Sequence, residues 1–111
     1  MEINLFEKGI VLDFPGLVEY SANGIVSKRV LDKKTGNITL FAFDQGQKLS
    51  EHTAPFDAMV QILDGKGEII INGKSNLLEK GQSIIMPANI PHAVNAAEKF
   101  KMLLTMIKES L

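Results

Sequence analysis

Turn residues constrain this chain more than anything else in it. Nine glycines fall at positions 9, 16, 24, 36, 46, 65, 67, 73 and 81, and short β-branched or apolar runs lie between them. Those runs include Ile25-Val26, Ile38-Thr39-Leu40, Val60-Gln61-Ile62-Leu63, Ile69-Ile70-Ile71 and Ser83-Ile84-Ile85. Helices need longer uninterrupted stretches, whereas short strands punctuated by turns build antiparallel sandwiches and barrels. The reading is therefore all-β, with little helix. Asn72-Gly73 is the clearest hairpin turn, because a type I′ turn needs positive φ at both central residues. Asp64-Gly65 and Lys34-Thr35-Gly36-Asn37 are further turn candidates.

One segment is ambiguous. Residues 96–111 can be drawn as an amphipathic helix through Phe100, Leu103, Leu104 and Ile107, or as a final strand over 101–107. Periodicity alone does not separate a short apolar run into one or the other.

With 111 residues, 45% hydrophobic and 23% charged, the chain reads as one globular domain over 1–111 that buries a core of its own. Twelve basic and thirteen acidic side chains leave a net charge of −1 with no blocks of one sign, so neither nucleic acid nor an anionic membrane surface is an expected partner. The absence of cysteine excludes disulfides, thiolate metal sites and cysteine nucleophiles. No signal peptide or apolar membrane span is legible, and the expectation is a cytoplasmic protein.

The imidazoles are His52 and His92. Alone, each would be taken for a surface or hydrogen-bonded side chain. Their settings argue otherwise. Gly46 precedes His52 by six positions and Gly65 follows it by thirteen; Gly81 and Pro87 precede His92 by eleven and five. These spacings resemble the two motifs of the cupin superfamily, which read Gly, five residues, His-x-His, three or four residues, Glu, six residues, Gly, and then Gly, five residues, Pro-x-Gly, two residues, His, three residues, Asn. Gly46, His52 and Gly65 fall on the first, and Gly81, Pro87 and His92 on the second. Asn89 takes the place of a glycine, a mild change because asparagine also tolerates positive φ. The resemblance implies an antiparallel β-barrel of jelly-roll type in a small single-domain bacterial cupin, and it favours the strand reading of the C-terminal segment.

The departures from the motifs bear on function. In the family two histidines and a glutamate from the first motif, with the histidine of the second, usually hold a metal. Here the second histidine position is Ala54, the glutamate position is Ala58 and the closing asparagine is Ala96. Only His52 and His92 remain as metal-ligand candidates, for zinc, iron, manganese or nickel. Two imidazoles make a weak site where catalytic centres use three protein ligands. Glu51 and Asp57 are nearby acids that strand alternation turns to the opposite face, with Asp57 the better candidate to be re-aimed because Pro55 interrupts the strand before it.

The leading expectation is a cupin that binds a small organic molecule, with metal chemistry reduced or absent. His52 and His92 would converge, nitrogens about 3 to 4 Å apart as two ligands at roughly 2.1 Å require. Gln61, Phe43, Met59 and Met86 complete the expected pocket, with Thr53, Phe56, Met102 and Met106 as further lining. A metal-dependent dioxygenase or isomerase is the second expectation, and a dimeric sensing or structural module the third. A homodimer is expected, with residues 3–6, Leu103 and Met106 supplying apolar surface toward a partner.

Overall fold

The computed structural model of the chain describes residues 6–109. A single turn of 3-10 helix, Phe14–Gly16, precedes eight strands: β1 Ile25–Lys33, β2 Gly36–Phe43, β3 Lys48–His52, β4 Asp57–Ile71, β5 Lys74–Glu79, β6 Ser83–Met86, β7 His92–Asn95 and β8 Phe100–Ile107. All pairings are antiparallel, in the order β1-β2-β8-β4-β7-β3, with β5 and β6 also paired to β4. One layer is β1-β2-β8-β4-β6 and the other β5-β4-β7-β3, so β4 belongs to both. The all-β jelly roll expected from turn spacing is what forms, and the C-terminal segment is a strand.

Asn72-Gly73 turns the β4–β5 hairpin, with φ of 50° and 77° and Ile71 paired to Lys74. Residues 34 and 35 likewise close the β1–β2 hairpin, where Lys33 pairs Gly36. Asp64-Gly65, expected as a turn, is not one. It sits inside β4 at a register shift between Ile62 and Asp64, so the runs 60–63 and 69–71 belong to one strand of 15 residues. The extra residue of such a bulge bends the strand and increases its twist. It also flips the alternation: Ala58, Val60 and Ile62 face the barrel interior before the bulge, Ile69 and Ile71 after it. Gly65 (φ 71°) is required because a β-carbon there would stand 2.2 Å from the Lys99 carbonyl oxygen.

Two apolar clusters result. The barrel interior holds Phe43, Val60, Ile62, Ile69, Leu78, Met86, Val94, Phe100 and Met102, with Phe43 and Phe100 stacked at 4.7 Å between centroids. The second lies on the outer face of the first layer, where Leu40, Ala42, Val30 and Leu103 are covered by Phe6, Leu12, Phe14, Leu17 and Val18. This irregular covering is tied down by side chains from the strands. Lys28 donates to the Leu17 carbonyl (2.8 Å), Lys101 to that of Pro15 (2.7 Å), and Tyr20 Oη donates to Asp64 Oδ2 (2.6 Å). Among the described residues no helix is long and apolar enough to cross a membrane.

Candidate functional site

His52 and His92 meet because β3 is bulged. Leu49 pairs Val94, and three residues later His52 pairs His92, although β7 advances only two positions; the register shifts between them. A regular strand would put Leu49 and His52 on opposite faces. With one residue extra, both face the interior, beside Val94 and His92. Further on in the same layer His92 pairs Ile71, so a row His52–His92–Ile71 crosses three strands. Upstream, the Gly46 N–H donates to the Ala96 carbonyl (2.7 Å) and the Ala96 N–H to Gln47 (2.9 Å), which anchors the start of β3 against the end of β7.

The loop before His92 is equally fixed. Asn89 has a φ of 64°, the conformation expected of the residue standing in for the motif glycine, and its N–H donates to the Ala54 carbonyl at 2.7 Å. Asp57 Oδ1 accepts from the Ala88 N–H at 2.8 Å. That bond places the Asp57 carboxylate on the exposed side of the loop, where it caps the backbone. Glu51 is also exposed.

The two Nε2 atoms lie 3.2 Å apart, with ring centroids at 4.4 Å and planes inclined by 68°. His52 Nδ1 stands 2.8 Å from the Ser50 carbonyl oxygen and His92 Nδ1 3.2 Å from that of Ile90. Carbonyl oxygens only accept, so each Nδ1 carries the hydrogen. In their neutral forms the rings then turn two lone pairs toward each other. His92 is buried and His52 exposed, so the pair sits where the interior opens to solvent. Burial holds His92 below the usual histidine range, outweighing the Ile90 carbonyl, and the neighbouring His52 adds to the effect.

The remaining pocket candidates divide. Met86 faces the interior and ends the strand whose following loop leads to His92. Phe43 is also interior, in a row that runs through Phe100 to Gly65. Met59 and Gln61 alternate with Ala58, Val60 and Ile62 and therefore face outward. The structure does not bring these two to the pair. A cleft of about 760 Å³ lined by Pro55, Phe56, Asp57, Ala88, Asn89 and Ile107 opens beside the loop, with neither histidine in its wall.

The donor set does not match the metal cage of the family motifs. Ala58 is interior between Met86 and Met106, the Ala54 carbonyl is engaged by Asn89, and among the described residues no three His, Cys, Asp or Glu side chains converge.

A model of the cupin domain matches residues 39–108. The chain belongs to the cupin family. Among solved structures this cupin is similar to a conserved protein of unknown function from Streptococcus pyogenes, at 38% identity over 98% of this chain and 95% of that one, with a TM-score of 0.91. It is also similar to a cupin 2 conserved barrel domain protein from Leptotrichia buccalis, at 44% identity over 87% of this chain and 47% of that one, with a TM-score of 0.85. A cupin superfamily protein from Desulfitobacterium hafniense shares the fold at 24% identity, 98% and 100% coverage and a TM-score of 0.88. No match was found among curated proteins.

Proposed function

We propose that this cupin binds a small organic molecule at the open end of its barrel, with the His52–His92 pair as the polar anchor. The observation that carries the reading is the 3.2 Å approach of two Nε2 atoms whose Nδ1 partners are both committed to carbonyls. One proton between the rings relieves the repulsion of their lone pairs. A second is opposed by the burial of His92 and by the first charge. Carrying that proton, the pair would offer a single positive charge, at a place solvent reaches, to a carboxylate or carbonyl oxygen. Apolar walls with a few converging polar groups are the usual form of a small-molecule site.

The test is an imidazole-detected NMR titration of untagged protein with simple mono- and dicarboxylates and 2-oxo acids. Perturbation of both rings, lost in His52→Ala and in His92→Ala, supports the assignment. Silence of both rings across the whole panel overturns it.

A metal-dependent enzyme, a dioxygenase or isomerase, is the second reading, and the same distance favours it: two nitrogens 3.2 Å apart subtend about 100° at an ion about 2.1 Å from each. It requires a third donor that Ala54 and Ala58 do not supply. Elemental analysis of untagged protein separates the two, since a stoichiometric transition metal would select the second.

A further inference from the structure

The open end of the barrel has a second wall, in the first layer. Two loops join the layers at that end: residues 53–56 lead from His52 to the start of β4, and residues 87–91 lead from Met86 to His92. Met86 pairs Ala58 on β4, Ala58 pairs Met106 on β8, and Met106 pairs Asn37 on β2. This row therefore lies at the same end of the barrel as the histidines. Met86 and Ala58 are interior, and Met106 packs against the interior cluster. Met106, expected from the sequence to supply surface toward a partner chain, is thus spent beside Asn37. Phe6 and Leu103, named with it, belong to the chain's own outer cluster, and residues 3–5 lie outside those described.

Asn37 is the polar member of the row. Its Oδ1 is buried without a hydrogen-bond partner, the sole such side-chain atom among the described residues. A buried acceptor left unpaired costs stability, and folded proteins keep few of them. Neither cross-strand neighbour can meet it. Met106 offers a thioether with no hydrogen to give, and Asp32, the partner on β1, is a carboxylate 3.3 Å from Arg29.

We infer that Asn37 is a specificity-determining residue of the barrel mouth, its Oδ1 accepting a hydrogen bond from a hydroxyl on the ligand. The ligand is then a hydroxylated organic acid, an assignment that rests on reading the His52–His92 pair as the anchor for its carboxylate. Between the two polar ends the row presents Ala58 and Met106, which suit a short carbon chain. β2 lies two strands from β4, about 10 Å in the hydrogen-bonding direction, and packed layers stand about 10 Å apart. The hydroxyl therefore sits several carbons from the carboxylate. A site built to pair a hydroxyl rejects the analogue that lacks it, because its own polar group is then left unmatched.

The test is an NMR titration of the untagged full chain with 6-hydroxyhexanoate, heptanoate and 6-methoxyhexanoate, which end in a donor, a methyl group and an acceptor. The hydroxy acid should bind about fivefold or more tightly than either analogue. Asn37→Leu should erase that preference and raise the urea midpoint, since an apolar group of similar size relieves the unpaired acceptor. Circular dichroism checks folding, and Asn37→Ala takes over the comparison if Asn37→Leu does not fold. Equal binding of the three acids by the parent chain would overturn the inference, as would a preference that survives in the variant or a methoxy acid bound as tightly as the hydroxy acid. A lower midpoint in both variants would do the same, by making the amide a support of the fold. Perturbed histidine rings with an unmoved Asn37 side-chain amide would leave the anchor standing and remove Asn37. The reverse would remove the anchor and keep Asn37, and silence of both groups would remove both.

Discussion

Gly67 lies beneath the ring of Phe100, so close that a β-carbon on it would stand 2.7 Å from Cε2 and 2.9 Å from Cδ2. The ring fills the space that a side chain on β4 would need, and its other contact is the stack on Phe43. Gly67→Ala should destabilise the protein by about 1 to 3 kcal/mol in urea unfolding, the usual cost of overpacking. Pairing it with Phe100→Leu should recover part of the loss. Strict additivity of the two changes would show that the ring contact is not the cause.

Asn89 holds a positive φ and ties the loop before His92 to Ala54. Asn89→Gly should be close to neutral, whereas Asn89→Val should cost about 1 to 2 kcal/mol because a β-branched residue resists the left-handed region. If denaturation ranks the two variants equally, the backbone conformation is not what selects asparagine here.

Protonation of His92 should set a step in stability. The unfolded imidazole titrates near about 6.5 and the folded one lower, because of burial first. In the window below about 6.5, down to the folded value, the unfolded chain therefore binds more protons, and stability falls as pH drops. Above about 6.5 this contribution is fully present. Glu68 and Asp44 also have lowered values, Glu68 through the Ser75 hydroxyl and Asp44 through the Asn23 N–H, but their losses begin in the carboxylate range. Urea midpoints measured from about pH 7.5 to 5 should decline in the parent chain and flatten in His92→Gln. An equal decline in both would assign the step to another group.

Tyr20 closes the outer covering segment by donating to Asp64 at the β4 bulge, with Lys99 and Lys101 ammonium groups 4.8 and 5.0 Å from its ring centroid. Burial, then the Asp64 bond, pushes its phenol well above the usual tyrosine range. Tyr20→Phe should cost about 1.5 to 3 kcal/mol, as for a hydrogen bond to a charged group, reduced by its partial exposure. Amide exchange should quicken first around residues 17–20. Unchanged exchange there would show that the segment is held by its apolar contacts alone.

Much of this architecture is legible in the chain. Asn72-Gly73 announces a hairpin through its φ requirements, and the resemblance of the two glycine-histidine spacings to the cupin motifs implies the barrel and the meeting of His52 with His92. What misleads is the bulge. Asp64-Gly65 has the composition of a turn, and only a partner strand decides that it bends β4 instead. The change from even interior positions (58, 60, 62) to odd ones (69, 71) is visible only in the burial pattern, because Met59, Leu63 and Ile70 are apolar as well and blur it in the sequence. The same parity places Gln61 and Met59 outward, because each is flanked by interior residues. The covering segment before β1 has no period to read, and its docking rests on lysines and a tyrosine that the sequence offers as ordinary surface residues.

β4 pairs with β5, β6, β7 and β8, four of the eight strands among the described residues. The β4–β5, β4–β6, β4–β7 and β4–β8 seams therefore share one strand, whereas β1–β2, β2–β8 and β3–β7 can part without it. A fluctuation that frees any of these four partners must break hydrogen bonds to one shared strand, and releasing β4 itself dissolves both layers. β5 follows β4 through a tight hairpin, but β8 begins 29 positions after β4 ends, so that pairing depends on closing a long loop and is slow to form. Once all four pairings exist, the amides of β4 should exchange only when the whole molecule opens, and the wall that holds His92 shares that protection through Ile71.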